Sequence, residues 1–205
     1  MSERAMAPTM QRTPSKSNIL RRLAGDRRGV SAVEFALVAP LMVGLYFGVV
    51  ETSDGVSANR KVSLVTAALA NLSAQVSTIS SSDMTNILDA SSAIVAPYDK
   101  SKLKITVTCI NIDSTKKATV KWSVTRNGSA NTGTMTLPSA LAVASTQIIL
   151  AEASYAYTPT VGYNITGTIN LSDKMYMSPR ITAPTYGTTT CTCYGVDRHS
   201  TWQRR

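Results

Sequence analysis

The longest apolar segment of the chain covers residues 30–50, VSAVEFALVAPLMVGLYFGVV, and contains one charged side chain, Glu34. Every residue from Phe35 to Val50 is apolar, aromatic, glycine or proline, so this part lacks the polar face that a surface helix shows. As a helix, the segment would reach roughly 31 Å, the thickness of the hydrocarbon core of a bilayer. It is too long for a signal peptide and ends without an A-x-A cleavage pattern, so we expect a retained membrane anchor.

Beyond the anchor, apolar positions recur every three or four residues, the period of an amphipathic helix. We expect this stripe to pack on the protein's own sheet; the alternative is a coiled-coil seam with a neighbouring chain, for which the segment holds few heptads. Ser82 is the expected N-cap of a second helix, which Pro97 ends. The stripe consists of Val62, Val65, Leu69, Leu72, Val76 and Ile79, and the second helix presents Met84, Ile87, Leu88, Ser91, Ile94 and Val95.

From Leu103 the period changes to two, which indicates β-strands. The first strand is expected to be half-buried, with residues 103, 105, 107 and 109 on its core face and residues 104, 106 and 108 on the other. A second strand contains Val120, Trp122 and Val124 and ends at the turn pair Asn127-Gly128. Further strands are expected over residues 147–157, 163–171 and 174–178, the last being a fifth strand or a continuation of the fourth; residues 132–145 form a loop or a short helix.

This order of elements predicts an α+β fold. A transmembrane helix continues into an amphipathic helix, and a small antiparallel β-sheet domain follows. The expected division is a basic cytoplasmic leader at residues 1–29, a transmembrane anchor at 30–50, a helical stalk and second helix at 51–97, and an exported β-rich domain with a cysteine-containing tail at 98–205.

The positive charge of the chain is concentrated in the leader. The formal net charge is +9, and before Gly29 there are seven basic residues against two acidic ones. The positive-inside rule then keeps the N-terminus in the cytoplasm and sends residues 51–205 across the membrane. The remaining positive charge is scattered, which excludes the concentrated basic patch of a nucleic-acid-binding protein.

Glu34 requires an explanation, because a carboxylate in lipid is costly and usually has a functional partner. One interpretation is that it lies close enough to the interface to stay hydrated. The other rests on its position. The stretch Gly29-Val30-Ser31-Ala32-Val33-Glu34-Phe35 resembles the processing site of type IV prepilins, in which a membrane peptidase cuts after the glycine and a glutamate stands at mature position five.

The longer stretch AVEFALVAPLMVGLYFGVVE resembles the anchors of the TadE-like proteins, minor pilins or pseudopilins of the tight adherence (Tad, or Flp) pilus system. The resemblance rests on the pair Glu34-Phe35, a proline midway and a glutamate at the far end. It is closest over residues 28–55 and looser in IILAEASYAYTP and MYMSPRI.

The resemblance implies cleavage between Gly29 and Val30 by a prepilin-type peptidase. The new amine of one subunit would then be neutralised by Glu34 of a neighbour, because two buried charges become tolerable when paired. Implied partners are the inner membrane, the peptidase, other pilin or pseudopilin subunits and the Tad assembly platform. The implied function is assembly of an adhesive pilus. The alternative is a single-span anchor that never polymerises and presents a periplasmic interaction domain.

Three cysteines offer a disulfide in the oxidising compartment that export would provide. Cys109 lies on the core face of its strand, whereas Cys191 and Cys193 form C-x-C spacing near the end. We expect Cys109 to pair with one of these two, which leaves the third cysteine free to bond another subunit. With His199 the three thiols also make up the ligand count of a structural zinc site, but in unusual spacing, so no metal is expected.

Catalytic motifs are missing from the sequence. It contains one histidine, no G-x-S-x-G, no glycine-rich phosphate loop and no paired acidic motif. We therefore expect neither an enzyme nor a cofactor.

Overall fold

The computed structural model describes residues 29–160, 167–181 and 184–191. By its internal contacts the chain divides into two units, residues up to Phe47 and residues from Gly48 onward. In the first unit, residues 30–47 belong to helix α1, Val30–Ala74. Apart from the half-buried Ala39, its side chains here are exposed, and Pro40 lies inside the helix. Among the described residues α1 is the one helix long and apolar enough to cross a membrane.

The second unit, which we call the sheet domain, begins at Gly48 and contains the rest of α1. Here the helix buries one stripe at intervals of three and four residues, so the predicted packing against the protein's own sheet is confirmed. The predicted extent is wrong, because α1 ends at Ala74 and Leu72 lies on its exposed side. The buried stripe consists of Ala58, Val62, Val65, Thr66, Leu69, Ala70, Ser73 and Ala74.

The end of α1 is fixed by contacts with the far end of the chain. The backbone N–H of Arg180 donates to the carbonyl of Ala74 at 3.0 Å. Strand β1, Thr78–Ile79, then pairs in parallel with β6, Thr185–Tyr186, which pairs with β7, Thr189–Thr190. Ile79 is therefore buried as a strand residue and is not part of the helical stripe.

Helix α2, Ser81–Ala93, is capped by Ser80 and not by the predicted Ser82. The Ser80 hydroxyl accepts from the N–H of Asp83 at 3.1 Å, and a carboxylate oxygen of Asp83 accepts from the N–H of Ser80 at 3.1 Å. This reciprocal pair is a capping box, which satisfies two helix-terminal donors at once. The predicted apolar face is confirmed, because Met84 and Leu88 are buried.

Four antiparallel strands form the main sheet: β2, Leu103–Ile112, β3, Ala118–Arg126, β4, Thr146–Tyr157, and β5, Ile169–Met177. Their spatial order is β3-β2-β4-β5, and a short 3-10 helix, Lys100–Lys102, leads into β2. Of the strand predicted over residues 163–171, residues 163–166 lie outside the described part, and the described strand begins at Ile169. The predicted fifth strand is the continuation of β5.

Strand β2 was expected to be half-buried, but it is buried on both faces except at Lys104. One face packs on α1 and α2 through the predicted core positions of residues 103–109. The other face is covered by the connection between β3 and β4, residues 127–145. This connection contains turns and no helix, and its residue 134 forms an isolated antiparallel bridge with residue 119 of β3. A second small core forms there around Ile110, Ile112, Ile148 and Leu150, with Met135, Leu137 and Leu141 from the connection.

Two helices thus cover one face of an antiparallel sheet, and a connecting segment covers part of the other. The long apolar N-terminal helix followed by this small sheet domain confirms the α+β prediction.

Candidate functional site

The predicted processing site lies at the start of α1. Gly29 immediately precedes Val30, the first residue of the helix, and both are exposed. A Cβ atom placed on Gly29 would meet no heavy atom within 4 Å, and its φ is not in the left-handed region. The fold of the described residues therefore gives no steric reason for a glycine at this position.

Glu34 is the fifth residue of α1 and is exposed, as is Phe35, with 73% of its surface accessible. Glu34 forms no hydrogen bond and no ion pair among the residues that the structure describes, 29–160, 167–181 and 184–191. Val30 and Glu34 are four residues apart, so their side chains lie on the same side of the helix, one turn from each other. The carboxylate is thus exposed on the side of the helix that also carries Val30.

The sheet domain has an apolar groove of about 660 Å³ beside the first turns of α1 that belong to it. Residues 48–60 of α1 form one wall, and the ends of β4 and β5 form the other. This groove was not predicted, although the spacing of Gly48, Thr52, Gly55 and Asn59 on one helix face was a signal for it. Tyr157, Pro159, Ile169 and Leu171 line the opposite side.

The cysteines come together as a disulfide between Cys109 and Cys191. The two Cα atoms are 6.2 Å apart, the residues are separated by 82 positions in sequence, and both side chains are fully buried. The sequence left Cys191 and Cys193 open as partners of Cys109. The structure pairs it with Cys191, the residue directly after β7. The bond therefore attaches the β6–β7 ribbon to the central strand of the main sheet. Cys193 and His199 lie outside the described residues.

A second contact secures the same ribbon. The indole N–H of Trp122 on β3 donates to the carbonyl of Pro184 at 3.1 Å, and its ring lies 5.7 Å from that of Tyr186. The sequence placed Trp122 on a strand but did not reveal its partner, which is 62 residues away. This ribbon is thus tied to the sheet by a disulfide, a hydrogen bond and an aromatic contact.

Charged groups of the sheet domain form two ion pairs among the described residues. Arg126 on β3 pairs with Asp89 on α2, and its hydrogen bond holds the pKa of that carboxyl below its usual value. Lys174 on β5 pairs with Glu152 on β4 at 2.7 Å, and this hydrogen bond raises the pKa of the lysine. Within the described ranges no three His, Cys, Asp or Glu residues are grouped as a metal site would require.

Comparison with known proteins gives one family. Residues 29–70 match the sequence model of a family described as TadE-like protein. No curated protein and no solved structure matches the chain. The match begins at Gly29, covers Glu34, Phe35 and the apolar half of α1, and ends within the buried stripe at Ala70. The stretches IILAEASYAYTP and MYMSPRI lie outside it. The resemblance predicted from the sequence is confirmed: residues 29–70 match the TadE-like family, and this match is consistent with a protein of the Tad pilus system.

Proposed function

We propose that the protein is a minor pilin or pseudopilin that takes part in the assembly of a Tad (Flp) pilus used for surface adhesion. The observation that carries the proposal is the family match over Gly29, Glu34 and Phe35 together with the exposure of all three. A structural subunit of this family has no need of a catalytic site. The alternative, a non-polymerising anchor, requires neither Gly29 nor Glu34.

The first step is removal of the leader. A peptidase on the cytoplasmic side of the inner membrane cuts between Gly29 and Val30. Glycine suits such a site because its missing Cβ lets the backbone approach a narrow cleft. The basic leader holds this bond at the cytoplasmic face, where Arg and Lys side chains meet anionic headgroups.

The second step is assembly. Cleavage leaves an amine at Val30 next to the N-terminal end of α1, where the helix dipole already disfavours positive charge. Glu34 of an adjacent subunit neutralises that amine, and each charge makes burial of the other tolerable. The anchor is exposed along residues 30–47, which gives neighbouring anchors an apolar surface to pack on.

The sheet domain lies on the periplasmic side in this proposal. The buried Cys109–Cys191 bond supports that location, because disulfides persist in the periplasm and are rare in the cytosol. The partners are the peptidase, other pilin or pseudopilin subunits and the Tad assembly platform.

The deciding experiment is to determine the N-terminal residue of the protein recovered from membranes of cells that make the peptidase. We expect Val30. Gly29→Leu should leave the chain anchored at full length and absent from sheared filaments, whereas Gly25→Leu, a matched change within the leader, should be processed normally. Full-length wild-type protein in those cells would establish the non-polymerising anchor instead.

A further inference from the structure

A polar row crosses the face of the main sheet that points away from the helices. Glu152 on β4 pairs in register with Thr106 on β2 and with Lys174 on β5, so these three side chains share one face. Thr106 in turn pairs with Thr125 on β3, and their hydroxyls are 2.9 Å apart.

Asn131, from the connection between β3 and β4, lies on this row and is held at three points. Its side-chain Nδ2 donates to Glu152 Oε2 at 2.6 Å and to Thr108 Oγ1 at 2.9 Å. Its backbone N–H donates to Ser123 Oγ at 3.0 Å. The other carboxylate oxygen of Glu152 is 2.7 Å from Lys174 Nζ. One carboxylate therefore bridges a primary amine and a carboxamide that come from different parts of the chain.

We propose that Lys174 and Asn131 become joined by an intramolecular isopeptide bond, with Glu152 as the group that transfers the proton. Lys174 Nζ, an ammonium at rest, gives one proton to Glu152 Oε1 and attacks Cγ of Asn131 as the amine. Glu152 then transfers this proton and a second one from Nζ to Nδ2, the Cγ–Nδ2 bond breaks, and the nitrogen leaves as ammonium, so Glu152 ends as the carboxylate it was at the start. One carbon–nitrogen bond replaces another, so the reaction requires no oxidant, reductant or cofactor.

The contacts match what this chemistry needs. The nucleophilic nitrogen and the leaving nitrogen each contact a different oxygen of the same carboxylate, which is the arrangement for a proton shuttle. The Glu152 side chain is 20% exposed, so it is partly shielded from water, and the flexible stem of Lys174 allows Nζ to move towards Cγ.

The lysine is at rest in its protonated form, because the hydrogen bond that it donates to Glu152 raises its pKa and its side chain is 62% exposed. The reaction is consequently slow, but it occurs once per chain and cannot reverse after ammonia has left. The bond would attach edge strand β5 to the segment that covers the opposite half of the sheet. This inference does not depend on the proposed function.

The test uses the full-length protein, purified in detergent, reduced and digested with trypsin. Between Arg126 and Lys174 the sequence has no other lysine or arginine, so a free Lys174 yields a peptide of residues 127–174. The linked form resists cleavage after Lys174. It yields residues 127–180 with the mass lowered by one ammonia, and cleavage after Glu152 then gives a branched peptide. Deamidation at the Asn127-Gly128 pair can also begin with loss of ammonia, but it would leave Lys174 cleavable by trypsin. Cleavage after Lys174 therefore distinguishes deamidation from the isopeptide bond.

Glu152→Gln keeps the size of the side chain and removes the base, and it should restore cleavage after Lys174. Asn131→Ala should do the same. Lys104→Arg, on the same face of β2, should leave the linked peptide unchanged. Complete cleavage after Lys174 in the wild-type protein, both when fresh and after prolonged storage, would overturn the proposal.

Discussion

Lys61 on α1 binds the backbone at and just after the C-terminal end of the neighbouring helix α2. Its Nζ donates to the carbonyl of Ala96 at 2.5 Å and to that of Ile94 at 3.4 Å. Ile94 is the C-cap residue of α2 and Ala96 lies two residues beyond it, so the lysine provides a donor where helix carbonyls lack an intrahelical partner and places its positive charge near the negative end of the helix dipole. This contact ties the two helices together where the chain turns towards the sheet.

Replacing Lys61 by methionine should lower the free energy of unfolding of the sheet domain by about 1 kcal/mol, because the carbonyls lose a charged donor. Urea unfolding of the detergent-solubilised chain, followed through the fluorescence of the buried Trp122, measures this change. Lys102→Met, an exposed lysine in the 3-10 helix, is the control and should shift the curve little. Equal effects of both changes would refute the capping role.

The two faces of α1 within the sheet domain should respond very differently to truncation. Leu69 is fully buried, so Leu69→Ala should cost about 2–5 kcal/mol of unfolding free energy through lost burial and a cavity. Leu64, on the same helix, is 57% exposed, and Leu64→Ala should cost little. The same urea titration compares them. A large effect at Leu64 in monomeric protein would contradict the packing of this stripe.

The Cys109–Cys191 bond should appear in peptides mapped without reduction, and Cys193→Ser should leave it in place. Replacing both bonded cysteines by alanine should cost about 2–5 kcal/mol, since the bond closes a long loop in the unfolded chain. The domain should then become sensitive to limited proteolysis at the β6–β7 ribbon. Three freely alkylated thiols in protein isolated without reductant would rule this pairing out.

The ion pair of Asp89 and Arg126 should give a pH-dependent part of the stability. The pKa of Asp89 is lowered in the folded state by the Arg126 hydrogen bond, so the contribution is present above the unfolded carboxyl pKa, about 3.9, and is lost as the pH falls through the folded value. Asp89→Asn should therefore be less stable than wild type at neutral pH and equal to it in strong acid. A double-mutant cycle with Arg126→Met isolates the pair.

Glu34→Ala should be inserted and processed like wild type but should join filaments poorly, because the amine at Val30 of its neighbour loses its counter-charge. Immunoblots of membranes and of sheared surface filaments measure the two steps separately. Glu3→Ala, within the leader that the proposed cleavage would remove, is the matched control. Normal amounts of the Glu34 variant in filaments would show that the carboxylate has no pairing role.

Local patterns predicted most of the elements. The apolar run after Gly29, the stripe through Val62 and Leu69 and the alternation from Leu103 each depend on residues close in sequence, and each element was found. Ser80 was missed as the N-cap because Ser80, Ser81 and Ser82 are equally suitable by type; the choice depends on the reach of Asp83 three residues later.

What the sequence could not predict depends on residues that are distant from one another. Thr106 and Thr108 read as solvent-facing, yet they are covered because the 127–145 connection folds back on them. The pairing of β1 with β6 joins two-residue strands too short to show a period. Likewise, nothing local to Asn131 reveals that Glu152 and Lys174 will meet it.

The parallel pairing of β1 with β6 has a consequence for how the chain folds as it is made. Ser77 accepts hydrogen bonds from Thr185, 108 residues later, so the ribosome must complete nearly the whole protein before this contact can form. Until then the Trp122 end of the sheet lacks its cover, and Cys109 lacks its partner. Contacts of such long sequence separation form slowly. The newly made chain therefore passes through a stage in which the thiol of Cys109 is unpaired and an apolar surface of the sheet is uncovered.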